Sequence, residues 1–370
     1  MTVAVTACGE PVDVGGLTEG VEVHAGDNDG ASGGDASIPP TSDDGGLPLI
    51  TTPPCTGGRC PVLLWSGLTD LTDTGSGYPI VGATNVYWRN GVWDDATQKF
   101  DGALMTVPID GGPASTLDDA SAPPPGPVFD AGNGDYFYEV TVAGSGDATK
   151  LLRVPVSGGK STTLATLPYP GTMDAGPPAG GGVTFDAANV YWEDISAYDG
   201  QGDIGCGGAC LGAAYTMLVL STPRAGGTVT TLASTKKAAY GPASLGPSVT
   251  TSMGVDASYV YFIDDGAIVR VPIAGGAETT VASSPSLVSN FAFDGENFYW
   301  PAASGSDGST GIVAKVAKSG GVVSTFFSVE AGQVLGCAVD STSVYVFYSL
   351  ALTTDAGTNT PGAIVKITSK

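Results

Sequence analysis

Apolar and polar positions along this chain cycle with a short period and show no helical spacing. Runs of Val, Tyr, Trp and Phe, a few residues long, are separated by Asp, Asn, Gly and Pro, the pattern of many short strands and tight turns. The clearest run is Asp186-Ala-Ala-Asn189-Val190-Tyr191-Trp192. Degraded copies read Gly82-Ala-Thr-Asn-Val-Tyr-Trp88, Asp256-Ala-Ser-Tyr-Val-Tyr-Phe262, Asp294-Gly-Glu-Asn-Phe-Tyr-Trp300 and Asp340-Ser-Thr-Ser-Val-Tyr-Val346, with a looser copy over 130–138. After each copy, at variable distance, comes a second apolar run. Most of these close on a Gly-Gly pair, as in Val107-Pro-Ile-Asp-Gly-Gly112, Thr222-Pro-Arg-Ala-Gly-Gly227 and Val271-Pro-Ile-Ala-Gly-Gly276.

The repeat is roughly 50 residues long and carries four strands, which is the size and content of a propeller blade. In the third repeat the pattern predicts strand a at 182–185, strand b at 189–192, strand c at 217–222 and strand d at 229–233. Val190, Tyr191 and Trp192 are adjacent, so both faces of strand b are apolar, as a sheet sandwiched between neighbours requires. The Tyr-Trp pairs therefore read as packing between sheets. The last repeat stops after its strand c, and the missing fourth strand is available at 62–66, just before the first repeat. The prediction is an all-β fold: a six-bladed β-propeller of four-stranded antiparallel blades, closed by an N-terminal strand.

The Val-Tyr-Trp strand, the Asp opening the turn before it and the Pro-x-x-Gly-Gly turn together resemble six-bladed propellers of the YWTD and TolB-like type, including bacterial propeller-repeat lipoproteins. The resemblance covers about residues 62–370. It implies a fold more than a function, since such propellers serve as binding modules, scaffolds and occasionally enzymes. The second Asp of a YWTD motif is matched only by Asp194 and Asp264, with Asn90 a partial match, so calcium or receptor behaviour is not implied by it.

Charge narrows the partners. A formal net charge of -23 opposes nucleic acid and anionic membrane surfaces and favours cationic partners or divalent cations. The single histidine, His24, lies in a Gly- and Asp-rich stretch, which argues against imidazole-based triads and His-ligated zinc. Cys55 with Cys60 and Cys206 with Cys210 are close pairs in Gly-rich loops and read as disulfides, implying an oxidising compartment. Zinc held by the same four cysteines is the alternative and would require two distant loops to meet. Cys337, in an inner strand, reads as a buried free thiol.

Val5-Thr-Ala-Cys8 resembles a bacterial lipobox, which would make Cys8 a lipidation site and residues 1–8 a signal remnant. The seven residues before Cys8 lack a basic segment and are shorter than a signal peptide, so either the translated start lies upstream or the tetrad is a chance match. Residues 9–54 are Gly, Asp, Ser, Thr and Pro with few large apolar side chains, and read as a disordered tether spanning ~35–40 Å. The propeller would then occupy 55–370. Contact with a membrane is expected only through the lipid anchor, because no apolar run reaches membrane-spanning length. These features point to an extracytoplasmic protein, either an outer-membrane lipoprotein or a secreted one.

Turn chemistry distinguishes the two faces of the expected ring. The a–b and c–d turns are short and stereotyped, so Asp130, Asp186, Asp256, Asp294 and Asp340 read as turn caps. The b–c and d–a connections are long and individual, including 89–102, 139–149, 193–215 and 301–311, and such a face is where binding sites lie. Glu193, Asp194, Asp264 and Asp265 are expected to leave strand b there, joined by Glu139 and Arg89 as ligand-binding candidates. Asp194 and Asp264 are the candidate metal ligands, and all-oxygen donors suit calcium. No catalytic residue is identified. The leading reading is a non-enzymatic binding protein for a protein, peptide or glycan. The alternatives are a cation-dependent lyase or hydrolase using the same carboxylates, and a structural component of an extracellular assembly.

Overall fold

The computed structural model describes residues 55, 59–70, 79–94, 99–118, 128–130, 135–142, 148–155, 161–168, 182–199, 214–237, 252–264, 266–284, 290–304, 310–330, 332–350 and 359–368. Cys8, the tether, Cys206, Cys210 and Asp265 fall outside them. Every regular element among the described residues is a β-strand, and none is a helix long and apolar enough to cross a membrane.

Strand β1 (Pro61–Asp70) comes first and is followed by sets of four. The first sheet holds β2 (Ile80–Val81), β3 (Asn85–Asp94), β4 (Lys99–Pro108) and β5 (Ser115–Asp118). The second holds β6 (Val128–Asp130), β7 (Asp135–Val142), β8 (Ala148–Pro155) and β9 (Thr162–Pro168). The third holds β10 (Val183–Phe185), β11 (Asn189–Asp199), β12 (Ala214–Pro223) and β13 (Thr230–Lys237). The fourth holds β14 (Met253–Val255), β15 (Tyr259–Asp264), β16 (Ala267–Pro272) and β17 (Thr279–Ser283). Each is an antiparallel meander in chain order.

The remaining strands form one eight-stranded sheet. It divides into a fifth set, β18 (Ala292–Phe293), β19 (Asn297–Ser304), β20 (Thr310–Ala317) and β21 (Ser324–Glu330), and a sixth. The sixth contains β22 (Gly332–Val339), β23 (Ser343–Leu350) and β24 (Asn359–Thr368), with β1 as its fourth strand. The two sets meet at a single parallel pair, Thr310 and Gly332. Strand β1 runs antiparallel to β24 from Pro61 opposite Ile367 to Asp70 opposite Asn359, where the sequence predicts the displaced strand, although longer at both ends.

The core lies between sheets, and strand b explains why. In β11, Val190 and Trp192 pack towards the second sheet with Phe137, Leu151 and Leu164, while Tyr191 packs towards the fourth with Phe262 and Val269. The same division recurs in β19: Phe298 and Trp300 lie with Tyr261 and Ile268 of the fourth sheet, and Tyr299 lies with Val346 and Tyr348 of the sixth set. A further cluster joins Trp88 and Val86 of the first sheet to Tyr345, Phe347 and Trp65 of the sixth set. Among the described residues no such cluster lies between the first and second sheets. Each fully buried aromatic contributes about 2–3 kcal/mol of transfer free energy, so these seams dominate cohesion.

The a–b turn is the same device four times over. Asp186 Oδ1 accepts from the N–H groups of Ala188 and Asn189 (both 2.7 Å), while its Oδ2 accepts from the Tyr191 hydroxyl at 2.7 Å. Asp256 does the same with Ser258, Tyr259 and Tyr261, Asp294 with Glu296, Asn297 and Tyr299, and Asp340 with Thr342, Ser343 and Tyr345. One carboxylate thus caps the turn and anchors the strand that follows. In the c–d turns, Gly226 donates to Pro223 O (2.8 Å) with φ +82° and Gly227 follows at +139°. Both values lie in the region that only glycine adopts without strain.

The central strands correct one expectation. Segments read as long loops at 89–102, 139–149, 193–215 and 301–311 begin and end as strand in their described residues: β3 pairs with β4 out to Asp94 opposite Lys99, β7 with β8 out to Val142 opposite Ala148, β11 with β12 out to Asp199 opposite Ala214, and β19 with β20 out to Ser304 opposite Thr310. Two-stranded backbone pairing satisfies every inward amide whatever the side chains are, so a ribbon persists where the apolar alternation has faded. In the third sheet the inner strand stops much earlier. β10 pairs only with 190–192 of β11, and the longer strand continues past it.

Candidate functional site

Of the carboxylates expected to leave strand b, Glu193 and Asp194 lie within it and are buried, and Asp264 ends β15 half-buried. Glu193 has no exposed surface and Asp194 is 6% exposed, so neither is a solvated loop acid. They follow directly on the apolar Val190-Tyr191-Trp192 run, and β11 carries them inward because its ladder with β12 continues, Glu193 opposite Val219 and Asp194 opposite Leu218. Burying a carboxylate is costly unless it is hydrogen-bonded. Asp194 Oδ2 accepts from the hydroxyl of Thr149 in β8, at 2.8 Å. The Glu193 N–H donates to Gly182 O (3.1 Å), fixing the depth of Glu193 at the start of the inner strand.

Alternation along the strand then separates the candidates. Asp194 shares a face with Trp192 and turns towards the second sheet, where Thr149 receives it. Glu193 shares a face with Tyr191 and turns towards the fourth sheet. Asp264, two residues beyond Phe262 in β15, turns back towards the third. Glu193 and Asp264 therefore belong to one seam and Asp194 to the next. Asp264 stands opposite Ala267, and only 265–266 connect the two strands, with Gly266 at φ +70°. The fourth sheet is thus low where the third continues to Asp199 and the fifth set to Ser304. Arg89 in β3, opposite Leu104, and Glu139 in β7, opposite Leu151, are placed by their backbones alone.

Among the described residues no group of three or more His, Cys, Asp and Glu side chains converges to hold a metal ion. A calcium ion at Asp194 or Asp264 would need more oxygen ligands than the described residues bring together there. Cys55 and Cys60 form a disulfide, and Cys337 is a buried free thiol whose Sγ–H is directed at Tyr299 O (3.5 Å). Burial pushes the Cys337 thiol up to about 12, which keeps it protonated and inert.

Three polar residues at the same depth carry no recognisable sequence signature by themselves. Thr149 is one. Ser252 precedes β14, donating to Phe291 O (3.2 Å) and accepting from Phe291 N–H (3.1 Å), so that it ties two neighbouring inner strands. Asn290 precedes β18 and is 6% exposed, with no hydrogen bond to its Oδ1 among the described residues. Ser252 and Asn290 both stand four residues before a capping Asp, and aligning the repeats on that Asp is the signal that finds them.

No protein-family model and no characterised protein matches the sequence. Among solved structures, the chain is similar to one in the nidogen/laminin complex (13% identity, 66% of this chain and 82% of that one, TM-score 0.40). It is similar to TolB from Acinetobacter baumannii (10% identity, 81% and 79%, TM-score 0.38). It is also similar to the Pyrococcus horikoshii acylaminoacyl peptidase (10% identity, TM-score 0.41), where it covers 82% of this chain and spans about half, 48%, of the other. At these identities and scores nothing about activity transfers from them.

Proposed function

We propose that this chain is a six-bladed β-propeller, closed by β1, that acts outside the cytoplasm as a non-enzymatic binding protein. Its ligand is a cationic protein or peptide segment held on the face that carries the b–c ribbons. The observation that carries this reading is the difference in strand length: β11 and β12 run on to Asp199 and Ala214 beyond a three-residue inner strand, whereas the opposite face is closed by capped turns. Rigid paired ribbons rising from a packed scaffold present a surface at low conformational cost.

Charge supports the cationic ligand, since the chain carries 37 Asp and Glu against 14 Lys and Arg. The Cys55–Cys60 disulfide supports an oxidising compartment, and lipidation at Cys8 would hold the unit at a membrane surface. Calcium is part of the same proposal, bound separately at Asp194 and at Asp264 because the two face different seams, as a means of offsetting the charge of each carboxylate.

Titration of a lysine-rich peptide, followed by calorimetry at low and high salt, tests it. Binding that weakens with salt, and is lost when 200–213 are replaced by an Asn-Gly turn without change in melting temperature, is the expected result. Undiminished binding by that ribbon variant would overturn the assignment of the face. Calcium heat that disappears in Asp194→Asn/Asp264→Asn checks the cation.

A further inference from the structure

The sixth set is assembled from the two ends of the described chain, so no turn joins its third strand, β24, to its fourth, β1. In the third, fourth and fifth sets that turn also packs on the outer strand of the preceding set. A Cβ on Gly226 would lie 3.4 Å from Leu164 O, one on Gly275 3.4 Å from Leu232 O, and one on Gly320 3.1 Å from Val281 O. Gly276 N–H donates to Leu232 O at 3.1 Å. Leu164, Leu232 and Val281 hold the same place in their strands, each after a Thr-Thr pair, and the matching residue of the fifth set is Phe326, after Ser324-Thr325.

Phe326 is 5% exposed, and Arg59 lies over it, its guanidinium carbon 4.8 Å from the ring centroid. Arg59 belongs to the loop closed by Cys55–Cys60, which leads directly into β1. The disulfide loop therefore stands where the absent turn would be, against the same outer-strand position.

We infer that the Cys55–Cys60 loop is a redox-sensitive clasp that replaces the missing c–d turn of the sixth set and holds β1 in register on β24. The strand needs one, because β1 is the outermost of its set and is held by a single ladder. Without a covalent turn it frays from its Pro61 end, beside Val62, which is 52% exposed. Cys55 and Cys60 are exposed and open to a reductant, whereas Cys337 is buried. With a dithiol, a thiolate attacks one sulfur and the Cys55–Cys60 bond breaks. The mixed disulfide is resolved by the second thiol, and two electrons and two protons pass to the cysteines while the reductant leaves as its own disulfide. The freed loop no longer presets Arg59 over Phe326.

Hydrogen exchange of the 62–66 amides tests the clasp, with the amides of β15 and β16 as internal reference. Cys55→Ser/Cys60→Ser, and wild-type protein treated with dithiothreitol, should exchange about tenfold faster in 62–66 and unchanged in the reference strands. Arg59→Ala, with the disulfide intact, should give a smaller change in the same place. Exchange in 62–66 that stays constant after thiol titration shows Cys55 and Cys60 reduced would overturn the inference, as would acceleration spread equally over all sets. If the double-serine variant does not fold, the treated wild-type protein and Arg59→Ala decide the question by the same two readouts.

Discussion

At the scale of single residues, the capping aspartates set the acid sensitivity of the fold. Burial alone would raise the Asp256 carboxyl. The Lys318 ammonium at 2.6 Å, the Ser258 and Tyr259 amides and the Tyr261 hydroxyl outweigh burial and hold it at about 2, against 3.8 in a free chain. Asp186 and Asp340 are lowered for similar reasons. A carboxyl whose folded value is depressed contributes stability above its unfolded value and loses it as pH falls through the folded one. Asp256 therefore contributes about 2 kcal/mol at neutral pH, fading between about pH 4 and pH 2. Urea denaturation across that range should show this loss in wild-type protein and a flatter profile in Asp256→Asn, which also starts less stable. Tyr261→Phe leaves Lys318 as the side-chain donor to Asp256 Oδ2 and should cost about 1 kcal/mol at pH 7. The Asp was legible in the sequence as a cap. Its bond to the Tyr five residues on was not, because that contact depends on how the strand curves back over the turn.

Among the elements, β11 was the least legible and matters most. Its apolar alternation ends at Trp192, and Glu193-Asp194 reads as the start of a loop, yet the ladder with β12 continues and buries both acids. Local pattern reports where a side chain would like to be, whereas strand length is decided by the partner strand. The Thr149 hydroxyl makes this tolerable for Asp194, so Thr149→Val, which keeps the volume and removes the donor, should destabilise by about 2 kcal/mol in chemical denaturation. An unchanged midpoint would mean that other donors carry Asp194. The c–d turns were readable from Pro-x-x-Gly-Gly. Gly275→Ala, placing a Cβ at φ +82° and 3.4 Å from Leu232 O, should lower stability by about 1–2 kcal/mol by calorimetry.

Over the whole molecule, cohesion comes from sheets sharing cores with their neighbours, and the first and last strands meet in one set. Lys366 reinforces the seam between that set and the first sheet, donating to Ile109 O at 3.0 Å and lying 3.6 Å from Asp110. Removing 1–60 should leave a folded protein, weakened only by loss of the clasp. Removing 1–70 strips β24 of its outer partner and exposes an unpaired edge beside Trp88 and Phe347, which lose Trp65. That second truncation should melt several degrees lower and aggregate on heating, measured by calorimetry and light scattering. Equal melting temperatures would show that β1 contributes nothing to the assembly.

The sequence by itself determined what is local and repeated: strands rather than helices, the Asp and Gly-Gly turns, apolar residues on both faces of strand b, the displaced strand of the last repeat, and the pairing of Cys55 with Cys60. Each follows from a side chain acting on its own few neighbours, so it survives in a one-dimensional pattern. Only the tertiary structure decided which acids share a seam, that Asp194 is met by Thr149 from the preceding sheet, and that Arg59 covers Phe326 across more than half the chain. Those depend on which face of one strand meets which position of another, and this relation is set by strand register and by the order of the sheets.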